Sequence, residues 1–116
     1  GYDDFNTDVG GICLAVMRRD GYISLDAGEQ AGTIQTEPFK LSGTKLLVNV
    51  DAPKGELRVE LLDGKGKVVA QSEPLTGDLL REPVKWAEGN IADLKDQTAS
   101  LRFTLRNGQF YSYWLE

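Results

Sequence analysis

From Ile12 onward the chain is a succession of short runs in which apolar and polar residues alternate, each closed by turn-forming residues. This pattern limits the fold more than any other feature. Successive side chains of a strand point to opposite faces, so a period of two marks a segment with one buried side. Residues 56–62 place Leu57, Val59 and Leu61 on one face and Arg58 and Glu60 on the other. Residues 45–51 set Leu46, Val48 and Val50 against Leu47 and Asn49, and residues 100–106 set Leu101, Phe103 and Leu105 against Arg102, Thr104 and Arg106. The run 12–19 is apolar on both faces and reads as a central or doubly covered strand. Shorter strands are expected at 22–26, 33–37, 67–71, 84–86 and 109–115.

Turn chemistry punctuates these runs. Asp20-Gly21 and Asp63-Gly64-Lys65-Gly66 read as hairpin turns, Pro53-Lys54-Gly55 as a further turn, and Asn107-Gly108 as the strongest hairpin signal of all. Residues 72–83, with Pro74, Gly77 and Pro83, read as a long crossover between sheets. Residues 90–96 form the one plausible helix, a turn or two with Asn90 as its N-cap. About nine short strands with almost no helix predict an all-β antiparallel β-sandwich of jelly-roll or Greek-key type. The expected core contains Leu14, Val16, Ile23, Val48, Leu57, Val59, Leu61, Phe103 and Leu105. Residues 1–11, polar and carrying Asp3, Asp4 and Asp8, read as a linker or the remnant of a preceding domain, and 12–116 as the single β-sandwich domain.

Composition excludes several kinds of chemistry. The 116 residues include no histidine and one cysteine, so Ser-His-Asp and Cys-His catalysis, histidine zinc sites and an internal disulfide are all closed. Cys13, inside an apolar run, reads as a small buried hydrophobe. With 13 basic and 18 acidic residues the net charge is −5, which argues against nucleic acid or an anionic membrane as partner. No apolar run approaches the ~20 residues of a membrane helix. Carboxylates remain, and Asp3, Asp4, Asp8, Asp26, Asp51 and Asp63 make structural calcium conceivable, although no EF-hand spacing is present. No catalytic residue is expected.

Residues 18–28, Arg-Arg-Asp-Gly-Tyr-Ile-Ser-Leu-Asp-Ala-Gly, resemble a β-sandwich module found at the C-terminal end of secreted bacterial glycoside-hydrolase-like proteins, behind a five-bladed propeller of invertase or sialidase type. The stretches 57–66, 84–86 and 101–112 extend the resemblance over residues 11–114. It implies a secreted or periplasmic, non-catalytic accessory domain whose partners are a polysaccharide or oligosaccharide and a catalytic propeller. Sugar recognition needs aromatic rings to stack on pyranose faces and planar polar side chains to bond the hydroxyls. On that chemistry the candidate glycan-binding residues are Tyr111 and Tyr113, expected on one strand face in alternation with Phe110 and Trp114, together with Arg102, Arg106 and Asn49. Arg58 and Arg102 also have a plainer expected role, pairing with Glu60 across strands. Trp86 shares its face with Val84 and is expected in the core. Two readings compete: a carbohydrate-binding module, and a structural accessory sandwich that packs on a propeller and binds no ligand.

Overall fold

The computed structural model describes residues 6–9, 13–17 and 22–116, with side chains from residue 25 onward. The protein is an all-β antiparallel sandwich. Its strands are β1 (Asn6–Val9), β2 (Cys13–Met17), β3 (Tyr22–Ala27), β4 (Gly32–Gln35), β5 (Phe39–Lys40), β6 (Leu46–Asp63), β7 (Val68–Ser72), β8 (Leu75–Pro83), β9 (Trp86–Glu88), β10 (Thr98–Arg106) and β11 (Gly108–Leu115). The order β1-β4-β10-β6-β11-β3-β2, with β5 on β10, β7 and β8 on β6, and β9 on β7, makes neighbours of strands far apart in sequence.

β6 organises the whole. Its C-terminal half pairs with β10, from Ala99↔Asp63 to Arg106↔Glu56, and its N-terminal half pairs with β11, from Gln109↔Asp51 to Leu115↔Leu46. On its other edge β7 covers residues 60–62 and β8 covers residues 47–57. Thus β10-β11 and β7-β8 each run as a continuous ribbon along one long strand. All three ribbons bend near the middle, and the two halves close over a shared core that contains Leu25, Val48, Val50 and Phe110 from one half and Ile34, Leu57, Val59, Leu61, Leu101, Phe103 and Leu105 from the other. Strands that pass from one layer to the other through a bend or bulge are how packed sheets turn corners.

Two expected turns are corners of this kind. Pro53-Lys54-Gly55 does not end a strand but lies within β6. Asn107-Gly108 does not make a hairpin, because β10 and β11 pair with successive parts of β6 rather than with each other. At the corner residues 52–55 of β6 lie opposite residues 107–108. Asn107 takes the left-handed conformation at φ 48° and donates its N–H to the Gly28 carbonyl at 2.9 Å. Asparagine tolerates that backbone better than most residues. The local chemistry of Asn-Gly is therefore as expected, and its topological use is different.

Other expectations are corrected similarly. Residues 75–83 are a strand, β8, and not a crossover, with Pro83 at its end opposite Leu47. Residues 6–9 form β1 on β4 and so belong to the sheet rather than to a lead-in. β2 ends the sheet order instead of lying at its centre. The Asp20-Gly21 turn and the side chains of Cys13, Leu14, Val16, Tyr22 and Ile23 lie outside the described residues. The remaining expected core residues, Val48, Leu57, Val59, Leu61, Phe103 and Leu105, are all fully buried. Trp86 is half-buried and packs against the core.

Where strands stop short, hydroxyls replace the missing ladder bonds. The Ser72 Oγ accepts from the Val59 N–H at 2.8 Å, and the Thr36 Oγ1 accepts from the Leu101 N–H at 3.0 Å. Among the described residues no buried side-chain polar atom lacks a hydrogen-bond partner, as the cost of an unmade bond in a dry interior requires. The short 3-10 helix Ile91–Leu94 carries the expected cap: the Asn90 Oδ1 accepts from the Ala92 N–H and the Asp93 Oδ2 from the Asn90 N–H.

The β6–β7 turn supplies a pH-dependent prediction. The Asp63 Oδ1 accepts from the Lys67 and Lys65 backbone N–H groups, and these bonds hold its carboxyl below the usual carboxylate range. A depressed folded-state pKa contributes stability that is present above the unfolded value and is lost as pH falls through the folded one. Asp63→Asn, which keeps an acceptor but not the charge, is expected to melt below the parent at neutral pH and to converge with it in acid. Parallel curves across the acid range would refute this.

Candidate functional site

The expected sugar-contacting residues do not come together. Arg102 and Arg106 lie on the outer face of the β10/β6 half, where their cross-strand partners are Glu60 and Glu56. The Arg102 Nε donates to the Glu60 Oε1 at 2.8 Å, which pushes its guanidinium further above the ordinary arginine value. An Arg106 nitrogen sits 3.7 Å from the Glu56 Oε1, and Arg58 also donates to Glu56. Arg102–Glu60 is the expected cross-strand pair and Arg106–Glu56 a second one on the same ladder, whereas Arg58 bonds Glu56 on its own strand and not Glu60 as expected. Each is worth about 0–1 kcal/mol at a surface. Glu60 and Glu56 already hold these arginines.

The aromatic segment is arranged by a β-bulge. In β11 Phe110 pairs with Val50 and Ser112 with Asn49, leaving Tyr111 as an extra residue. A bulge of one residue reverses the parity of the strand beyond it. Phe110, fully buried, therefore points inward, and so do Tyr113 and Leu115, opposite Val48 and Leu46. Tyr113 is half-buried with its ring 5.1 Å from that of Phe103. Tyr111 and Tyr113 thus do not share a face. Tyr111 is 44% exposed, whereas Tyr113 helps to build the core.

The bulge sends Trp114 to the outer face, opposite Leu47, a placement not expected from the sequence. Leu47 is buried yet is not part of the main core cluster, in keeping with its outward direction. The Arg81 guanidinium lies 5.1 Å from the Trp114 ring centre and donates to the Glu116 Oε1 at 2.9 Å. Such a cation–π contact contributes about 0.5–1 kcal/mol at an exposed site. No sequence signal short of the bulge itself would have found this group.

Tyr111 and Trp114 are three residues apart on β11, about 10 Å along a strand. Beyond Tyr111 lies a cross-strand row, Asp26↔Gln109↔Asp51↔Asp78, running over β3, β11, β6 and β8. The Tyr111 hydroxyl donates to the Gln109 Oε1. Loss of hydration, and then the carboxylates of Asp51, Asp26 and Asp78, push this hydroxyl above the ordinary phenol value. It therefore stays protonated and remains a donor at neutral pH. The face offers an exposed ring, an amide and three carboxylate acceptors, with the phenol proton already held by Gln109. Among the described residues no group of three or more Asp, Glu or Cys side chains is placed to hold a metal ion. Asp63, considered for calcium, has one oxygen committed to its own turn.

Asn49 stands between these groups. Its Nδ2 donates to the Ser112 Oγ at 2.9 Å and its Oδ1 accepts from the Arg81 N–H at 2.7 Å. Both ends of the amide are engaged within the fold. No helix among the described residues is long and apolar enough to cross a membrane. No protein-family model matches the chain, and no curated protein matches it.

Proposed function

We propose that this chain is a non-catalytic carbohydrate-binding sandwich, an accessory module of a secreted or periplasmic bacterial protein of glycoside-hydrolase type, with an oligosaccharide or polysaccharide as its ligand. The observation that carries the reading is the exposed Tyr111 ring with Gln109, Asp51 and Asp26 beside it. A sugar ring presents an apolar face for stacking and hydroxyls that donate to carboxylate and amide oxygens, and this surface supplies both counterparts. The site differs from the one expected from sequence. Tyr111 is kept, Trp114, Gln109, Asp26 and Asp51 are added, and Tyr113, Arg102, Arg106 and Asn49 have structural duties.

Tyr111→Ala is expected to weaken binding about tenfold, the equivalent of ~1.4 kcal/mol, while changing stability by less than about 0.5 kcal/mol. Affinity electrophoresis in gels containing a panel of polysaccharides, run beside thermal melts, checks both. Arg102→Ala should leave retardation unchanged. Retardation of the parent by no polysaccharide would turn the choice to the second reading, a sandwich that packs on a catalytic propeller without binding a ligand. One observation favours that alternative: Leu80, on β8, is 76% exposed, as a residue at a domain contact is when its partner is absent.

A further inference from the structure

Asn49 occupies a position that its polarity alone does not explain. It lies in β6, flanked by β11 and β8, and each of these neighbours is irregular opposite it. On β11 the extra residue is Tyr111, between the pairs Phe110↔Val50 and Ser112↔Asn49. On β8 residues 80 and 81 fall between the pairs Leu79↔Val50 and Glu82↔Val48, where β6 has only Asn49. Arg81 is in the left-handed region at φ 50°, a conformation unfavourable for an arginine. One side-chain amide reaches both irregularities, accepting from the Arg81 N–H on one side and donating to the Ser112 hydroxyl on the other.

The two large hydrophobic side chains that stand exposed among the described residues, Leu80 and Tyr111, are the extra residues of these two bulges. We infer that Asn49 is a positioning residue that clamps both bulges at once, so that the presentation of Tyr111 on β11 and of Leu80-Arg81 on β8 is set by a single amide and the two are coupled through it. The coupling extends to Trp114, since the guanidinium that covers its ring belongs to Arg81. In the carbohydrate reading, on which this part of the inference rests, Asn49 acts on the ligand only through Tyr111 and Arg81. A hydrophobic residue of similar size fills the same space and makes neither bond. An aspartate makes both, accepting from the Arg81 N–H with one oxygen and from the Ser112 hydroxyl with the other.

The experiment is amide hydrogen exchange by NMR on the folded parent and on Asn49→Leu, Asn49→Asp and Ser112→Ala, without any glycan. Asn49→Leu is expected to speed exchange about tenfold or more at the Arg81 amide and also at Tyr111 and Ser112, and Asn49→Asp to restore protection at all three. Ser112→Ala changes β11 alone, and coupling requires that it speed exchange at the Arg81 amide on β8. That variant decides the matter should Asn49→Leu fail to fold. An Arg81 amide indifferent to Ser112→Ala overturns the inference, as does an Asn49→Asp that behaves like Asn49→Leu. Because no sugar enters the measurement, failure of the clamp and failure of the carbohydrate reading are separate results.

Discussion

Gly55→Ala is expected to remove the folded state at ambient temperature, although it adds one methyl group and Gly55 needs no left-handed backbone. The cause is space at the corner. A Cβ at Gly55 would overlap the Arg106 carbonyl oxygen and lie 2.7 Å from the Asn107 Cβ. Across the corner, a Cβ at Gly108 would lie 2.6 Å from that of Ala52 and 2.7 Å from the Asp51 carbonyl oxygen. Two backbones cross here almost in contact, and the obstacle to a side chain is main chain, which cannot rotate aside. Overpacking a core with flexible neighbours costs about 1–3 kcal/mol. Forcing two long strands apart at their shared bend should exceed that and use up much of the ~5–15 kcal/mol that holds a domain together. Gly28 is the control, with open space around its would-be Cβ, so Gly28→Ala should be tolerated. Circular dichroism melts of the two variants settle it: a Gly55→Ala that melts like the parent would show that the corner has room.

Phe103→Ala should cost about 3–5 kcal/mol, the range for emptying a fully buried aromatic site. Phe103 is fully buried on β10, and its ring lies 4.8 Å from Phe110 and 5.1 Å from Tyr113, both on β11. It therefore joins the two halves of the bent sheet, and its neighbours cannot close the gap without moving the halves together. Urea denaturation is the measurement, with the midpoint falling and the slope unchanged. Tyr111→Ala, on the same ribbon but outside the core, provides the contrast. A loss below about 1 kcal/mol for Phe103→Ala would mean that the core is less tightly packed than its burial implies.

The sequence displays the parts of this fold that depend on one strand at a time. Alternation over residues 56–62 and 100–106 reports which side chains face the interior, because burial of one face acts on each residue separately. The Asn90 cap and the Asp63 turn are equally local, and both are present. What the sequence does not display depends on which strands meet. Asn107-Gly108 has the backbone freedom for a hairpin and equally for a sheet corner, and only the distant residues 52–55 decide between them. The bulge at Tyr111 is concealed for a different reason. Phe-Tyr-Ser-Tyr-Trp has no polar/apolar period from which an extra residue could be noticed, so simple alternation puts Tyr113 and Trp114 on the wrong faces. β8 is obscured by its flanking Pro74 and Pro83, which sit at strand ends where no ladder bond is asked of them. Leu62, outward by alternation, is nonetheless buried, and the sequence offers no sign of that.

The ribbon β10-β11 comes last among the described strands, yet it lies at the middle of the sheet, with β4 and β3 on one side and β6 on the other. This ordering governs how the chain can fold as it is made. Until residues 98–115 leave the ribosome, β6 lacks the partner for one of its edges, and β3 and β4 lack the strands that join them to it. Pairings that close such long loops must meet the entropy of closure before any contact repays it, which makes folding slow and late. The nascent chain therefore waits with apolar strand edges unpaired, a state open to aggregation or to capture by a chaperone. Once the ribbon inserts, it completes both layers in a single event, so early truncations should give no partial domain.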